Sequence, residues 1–129
     1  VQDLLAGDRL MYTVMADLAV RLSGGLIGRS GYSAIGAVVG ATHPDVLREL
    51  RRKYDQLFFL VPGYGAQGGG AADVQYAFDR FGHGAIINAS RSLMCAWKKT
   101  GADGADYPDA SRRAAEEMKN ELSAYVQVL

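Results

Sequence analysis

The chain has 129 residues, 49% of them hydrophobic and 22% charged, an ordinary globular composition with apolar material for one small core. Fourteen basic and fourteen acidic side chains cancel, which argues against a nucleic-acid partner and means that an anionic ligand has to be held locally. Cys95, the one cysteine, excludes an internal disulfide and suits a reducing cytoplasm; with no membrane-length apolar run or signal-peptide pattern, no membrane partner is expected.

Leu10, Val14, Leu18 and Leu22 recur every four positions, with Met11 and Met15 widening the stripe, so the spacing predicts an amphipathic helix that ends at Ser23-Gly24-Gly25. Ala34 to Val39 is a short apolar run bounded by glycines and reads as a strand buried on both faces. Thr42 offers a cap, Pro44 an early proline and Asp45 an acid for a second helix, whose apolar face is Val46, Leu47, Leu50 and Tyr54. Leu57 to Val61 is the second strand, stopped by Pro62, which has no N–H for a ladder. Val74, Ala77, Phe78 and Phe81 predict a third helix ended by Gly82, and Ala85 to Ala89 a third strand. Leu93 to Trp97 reads as one or two helical turns. A last long helix starts near Pro108 on the stripe Ala110, Ala114, Met118, Leu122, Tyr125 and Leu129.

One helix followed by three strand–helix units implies an α/β fold with parallel strands and right-handed crossovers. Three parallel strands leave two unpaired edges and need cover on both faces, so the expectation is part of a larger barrel or open sheet. The leading helix fits as the return arm of a strand outside these residues.

Two loops lie where α/β proteins place ligands, after the carboxyl ends of strands. Pro62-Gly63-Tyr64-Gly65-Ala66-Gln67-Gly68-Gly69-Gly70 is rich in glycine, which lets backbone N–H groups approach an anion, and Gln67 donates without carrying charge. Asn88-Ala89-Ser90-Arg91-Ser92 follows the third strand. Ser90 is a candidate cap, and an arginine in a first helical turn opposes the helix dipole unless an anion is bound there. Eight-stranded barrels often build a phosphate site from two such loops and a short extra helix. A flexible connector and a rim arginine lying over apolar surface are the plain alternatives.

Together Val39-Gly40-Ala41-Thr42-His43-Pro44, Phe58-Phe59-Leu60-Val61-Pro62-Gly63-Tyr64-Gly65-Ala66-Gln67-Gly68-Gly69 and Gly84-Ala85-Ile86-Ile87-Asn88-Ala89-Ser90-Arg91 resemble the later strands of orotidine 5′-phosphate decarboxylase, in its bacterial branch. The resemblance covers nearly the whole chain. It implies the carboxy-terminal half of a TIM (β/α)8 barrel, helix 5 through helix 8 over residues 1–129, incomplete without an amino-terminal half-barrel segment. It also implies a carboxy-lyase that converts orotidine monophosphate to uridine monophosphate and CO2, needs no cofactor or metal, and forms a homodimer of complete barrels. Gln67 and Arg91 would hold the phosphate with the backbone of Ser90 and Gly68, while Pro62 and Gly63 lie beside the pyrimidine or ribose. Ser90 stands where most relatives have glycine, and Tyr64 near where many have a second arginine. The family's Asp-x-Lys-x-x-Asp pattern is absent from these residues, so no catalytic residue is expected among them. Another sugar-phosphate barrel enzyme and a non-catalytic phosphate-binding module are the competing readings.

Other candidates carry less. His43 and His83 have no partner at ligand or triad spacing, and both are expected at the surface. Asp103, Asp106 and Asp109 lack the glycine and glutamate of a calcium loop and are read as helix caps. Cys95 and Trp97 are read as packing residues.

Overall fold

Parallel pairing follows from the apolar runs and the helices between them. The computed structural model describes residues 3–65, 68–101 and 104–129. Strands β3 (Ala37–Val38), β4 (Phe59–Pro62) and β5 (Ala85–Asn88) form a parallel sheet in the order β3-β4-β5. The register sets Val38 beside Leu60 and Leu60 beside Ile86, and ends with Pro62 beside Asn88. The β3 ladder is shorter than the expected Ala34–Val39, yet the track continues beyond it, with Val39 donating to the Leu60 carbonyl (2.9 Å) and Ala41 to that of Pro62 (2.8 Å).

The helices are α1 (Met11–Ser23), α2 (Pro44–Lys53), α3 (Ala71–Val74), α4 (Arg91–Met94) and α5 (Tyr107–Ser123), with single 3-10 turns at Gln75–Ala77 and Ala96–Lys99. Two two-residue strands, β1 (Leu5–Ala6) and β2 (Arg9–Leu10), precede α1 as an antiparallel pair that the helical pattern did not announce. The core lies between one face of the sheet and the helices. Phe59 and Val61 from β4 meet Leu47, Leu57 and Val74, all fully buried, and Met118 and Leu122 of α5 pack against this cluster.

Several expectations are corrected. The sheet is not buried on both faces: the registered row Val38, Leu60 and Ile86 is 69%, 40% and 56% exposed, because the helices cover only the other side. Helix α1 turns a different face inward. Thr13, Ala16 and Ser23 are buried, while Met15 and Leu22 stay exposed. The small polar residues bear burial because each hydroxyl has an acceptor, the Leu10 carbonyl for Thr13 (2.7 Å) and the Ala19 carbonyl for Ser23 (2.8 Å). Met11 and Met15 instead line an apolar groove of about 530 Å³ with Val38, Val39 and Val46.

The third helix stops at Ala77, not at Gly82, since Phe78 is extended and the Asp79 carboxylate accepts from the Phe81 and His83 amides (2.8 and 2.9 Å). That side-chain turn competes with helix continuation and leaves Phe81 exposed. At the other end of the chain α5 closes at Ser123, so Tyr125 and Leu129 lie beyond it and are exposed. Caps also differ: His43 rather than Thr42 is the N-cap of α2, and Asp106 occupies the N-cap position of α5 without a side-chain cap bond. Asp103 lies outside the described residues.

Candidate functional site

Because Pro62 and Asn88 are register partners in adjacent parallel strands, the segments that follow them leave the same edge of the sheet. The loop after β4 is built on itself. Gly65 donates to the Gly69 carbonyl (2.8 Å) and Gly68 to that of Gly65 (3.0 Å), with Gly65 and Gly68 at φ of 73° and 93°, where a side chain would be strained. Gly69 presses on the end of β3, since a Cβ there would come within 2.5 Å of the Ala41 Cβ. The Gly70 amide donates to the Asp73 carboxylate (2.9 Å), which joins the loop to α3. Gly65 in turn faces the start of α4: a Cβ on it would lie 3.5 Å from the Ser92 Oγ. The glycine loop and the Ser90–Ser92 turn are therefore neighbours.

Within that turn Arg91 is exposed and makes no side-chain hydrogen bond or ion pair among the described residues. Ser90 holds the N-cap position of α4, but its hydroxyl makes no cap bond; its carbonyl receives the Leu93 and Met94 amides (3.2 and 2.8 Å). Ser111 of α5 donates to the Leu93 carbonyl (2.9 Å) and so ties α4 to the long helix. Pro62 and Gly63 are half-buried at the strand end, whereas Gly68 is exposed with its amide already engaged inside the loop. Gln67 and Ala66 lie outside the described residues.

Tyr64 behaves unlike its neighbours. Only 6% exposed, it donates its phenol to the Glu121 carboxylate on α5. Burial, and then this bond, push the phenol well above the usual tyrosine range. A cavity of about 150 Å³ lies beside it, lined by Tyr64, Gly65, Ser92, Lys99 and Met118 among others. The opposite end of the sheet has a cleft of about 630 Å³ around Tyr32, Arg51, Asp79 and His83. Its polar groups are largely satisfied by one another, Arg51 through backbone carbonyls and Tyr32 through Asp79 (2.6 Å). Among the described residues no cluster of His, Cys, Asp and Glu is arranged to hold a metal ion, and no helix is long and apolar enough to cross a membrane.

No family model matches the chain. Curated relatives do: orotidine 5′-phosphate decarboxylase of Rhodopirellula baltica is 40% identical over 126 residues, which is 95% of this chain and 42% of that protein. The chain is homologous to part of orotidine 5′-phosphate decarboxylase. The Clostridium perfringens decarboxylase is 38% identical over 123 residues, again 95% of this chain and 42% of the relative, so the chain spans well under half the length of the relatives it matches. The solved OMP decarboxylase of Leishmania donovani superimposes with a TM-score of 0.64 at 32% identity, over 94% of this chain and 42% of that one. The parallel β3-β4-β5 sheet with its helices accordingly matches part of the barrel of that solved structure.

Two polar features of this piece escaped the sequence reading. Tyr64 and Glu121 are 57 residues apart, with no periodic pattern linking them. Arg51 sits in a run of basic residues at the end of α2 that looks like solvated surface, yet it is buried.

Proposed function

We propose that this chain supplies the phosphate grip of an orotidine 5′-phosphate decarboxylase, as the carboxy-terminal half of its barrel. One observation carries the reading: register-aligned strand ends bring the glycine loop beside the Ser90–Ser92 turn, where Arg91 projects with no protein partner among the described residues. A guanidinium can meet a phosphate dianion with two parallel charge-assisted bonds, and close backbone approach needs residues without a Cβ. In this reading Arg91 and Gln67 hold the phosphate with the backbone of Ser90. Gly68 shapes the loop, and Pro62 and Gly63 wall the ribose or pyrimidine.

The catalytic lysines and aspartates come from the segment that completes the barrel. That segment covers the open sheet face, where Val38, Leu60 and Ile86 present an apolar row to solvent. Holding the remote phosphate then serves catalysis at the ring by positioning it and closing the site over it. Pairing of completed barrels into a homodimer and a cytoplasmic location complete the reading.

The test uses the completed barrel. Wild type is expected to bind uridine monophosphate far more tightly than uridine, and Arg91→Ala to lose about 2–4 kcal/mol of kcat/KM on orotidine monophosphate, more than Gln67→Ala. Orotidine, which has no phosphate, should be handled about equally by wild type and Arg91→Ala. Equal losses on both substrates would withdraw Arg91 from the phosphate.

A further inference from the structure

Of the described residues between Gly63 and Gly70, Tyr64 alone carries a side chain. Internal bonds fix the loop's shape and Gly69 packs on Ala41; among the described residues one side chain of the loop anchors it to the rest of the molecule, besides the Asp73 carboxylate on Gly70. That anchor reaches Glu121 near the end of α5. The same helix, almost three turns earlier by its 3.6-residue repeat, holds α4 through Ser111, and α4 begins with Arg91. Helix α5 is thus a common platform for both halves of the site.

We infer that Tyr64 is a positioning residue for phosphate recognition: its bond to Glu121 sets the glycine loop at the right distance from Arg91. The inference rests on the phosphate-site reading above. The buried ring supplies packing, and the O–H supplies direction, since a phenol without its acceptor leaves the ring free to slide along α5. The carboxylate acceptor makes this bond charge-assisted, stronger than a neutral pair. Burial of the ring also keeps the phenol protonated as a donor through the neutral range, consistent with its raised pKa. The loop's other described residues are glycines and offer no side chain to resist such a shift.

The experiment compares Tyr64→Phe, Glu121→Leu and Glu121→Gln in the completed barrel, with uridine monophosphate and uridine as probes. Tyr64→Phe and Glu121→Leu should each weaken uridine monophosphate about tenfold, the size of one charge-assisted hydrogen bond, and leave uridine within about twofold. Combining the two should cost no more than either alone, because both remove the same bond. Glu121→Gln keeps an acceptor and should retain most of the affinity. Amide exchange of Gly65 and Gly68, which needs no ligand, should quicken about tenfold in Tyr64→Phe. Unchanged exchange, or equal losses on both probes, overturns the positioning role. A wild type that binds both probes alike defeats the phosphate reading instead, and this inference with it.

Discussion

Arg51 should be among the most costly side chains of α2 to remove, although the sequence places it in a basic run. Its guanidinium is 8% exposed and donates to five backbone carbonyls: Ala77 from Nε (2.8 Å), Tyr54, Asp55 and Leu57 from Nη1 (3.3, 3.2 and 2.8 Å), and Gly84 from Nη2 (2.7 Å). It also lies flat over the Phe59 ring at 4.1 Å. These carbonyls belong to the end of α2, the approach to β4, the turn after α3 and the approach to β5, so one side chain closes the amino-terminal end of the sheet. Burial pulls its pKa down, opposed by the fields of Tyr32, Asp79 and Asp55.

Replacing it with methionine keeps the contact with Phe59 and strands the carbonyls. The three short bonds would each contribute about 1.5–3 kcal/mol as charged hydrogen bonds, but relieving the guanidinium's desolvation returns part of that. The net expectation for Arg51→Met is a loss of about 3–5 kcal/mol. Arg51→Lys should recover little, because an ammonium is a single point that cannot span acceptors on four segments. Urea unfolding of the completed barrel at constant slope measures both. A change under about 1 kcal/mol for Arg51→Met would mean that water satisfies these carbonyls, and the clamp argument would fall.

Two further outcomes are expected. Burial alone would raise the Asp79 carboxyl, but the Tyr32 hydroxyl and the amides of His83 and Phe81 hold it below its ordinary value, so its stabilisation is present above about pH 4 and is lost as pH falls through the folded pKa. Asp79→Asn should therefore flatten the acid side of a stability profile taken from pH 6 to pH 3, and an unaltered acid side would rule this out. On the proposal that the completing segment covers the open sheet face, Leu60→Ala should cost the completed barrel about 2–5 kcal/mol, as for a fully buried leucine. A cost under about 1 kcal/mol in urea unfolding would show that face to be open in the whole protein.

The strands were readable because apolar runs bounded by glycine or proline carry their own limits, and Ala85–Asn88 differs from its expected span by one residue. What such runs report, however, is the environment in the finished protein. Val38, Leu60 and Ile86 have the composition of a doubly covered sheet and the exposure of a singly covered one, a difference that the proposed completion of the barrel would explain. Helix α1 departs from its pattern too: the stripe Leu10, Val14, Leu18 and Leu22, widened by Met11 and Met15, predicts the buried face, yet the helix rests on Thr13, Ala16 and Ser23 and leaves Met15 and Leu22 exposed. Periodicity failed at Phe81 for another reason, since Oδ1 of Asp79 accepts from the very amides that a continuing helix would use.

Site residues divide along a similar line. Arg91 stands out in the sequence because its position after a strand and its conflict with a helix start are local facts. Tyr64 looked like a departure from a commoner arginine, and only the tertiary structure gives it an acceptor on a helix 57 residues away. On the proposed reading the two loops differ in kind: one presents a charge with no side-chain partner among the described residues, and the other presents bare backbone that the protein must hold in place. A free arginine needs only an exposed position, whereas a glycine loop needs an anchor. That is why the one large side chain among its described residues is buried, even though the loop's outer glycines face solvent.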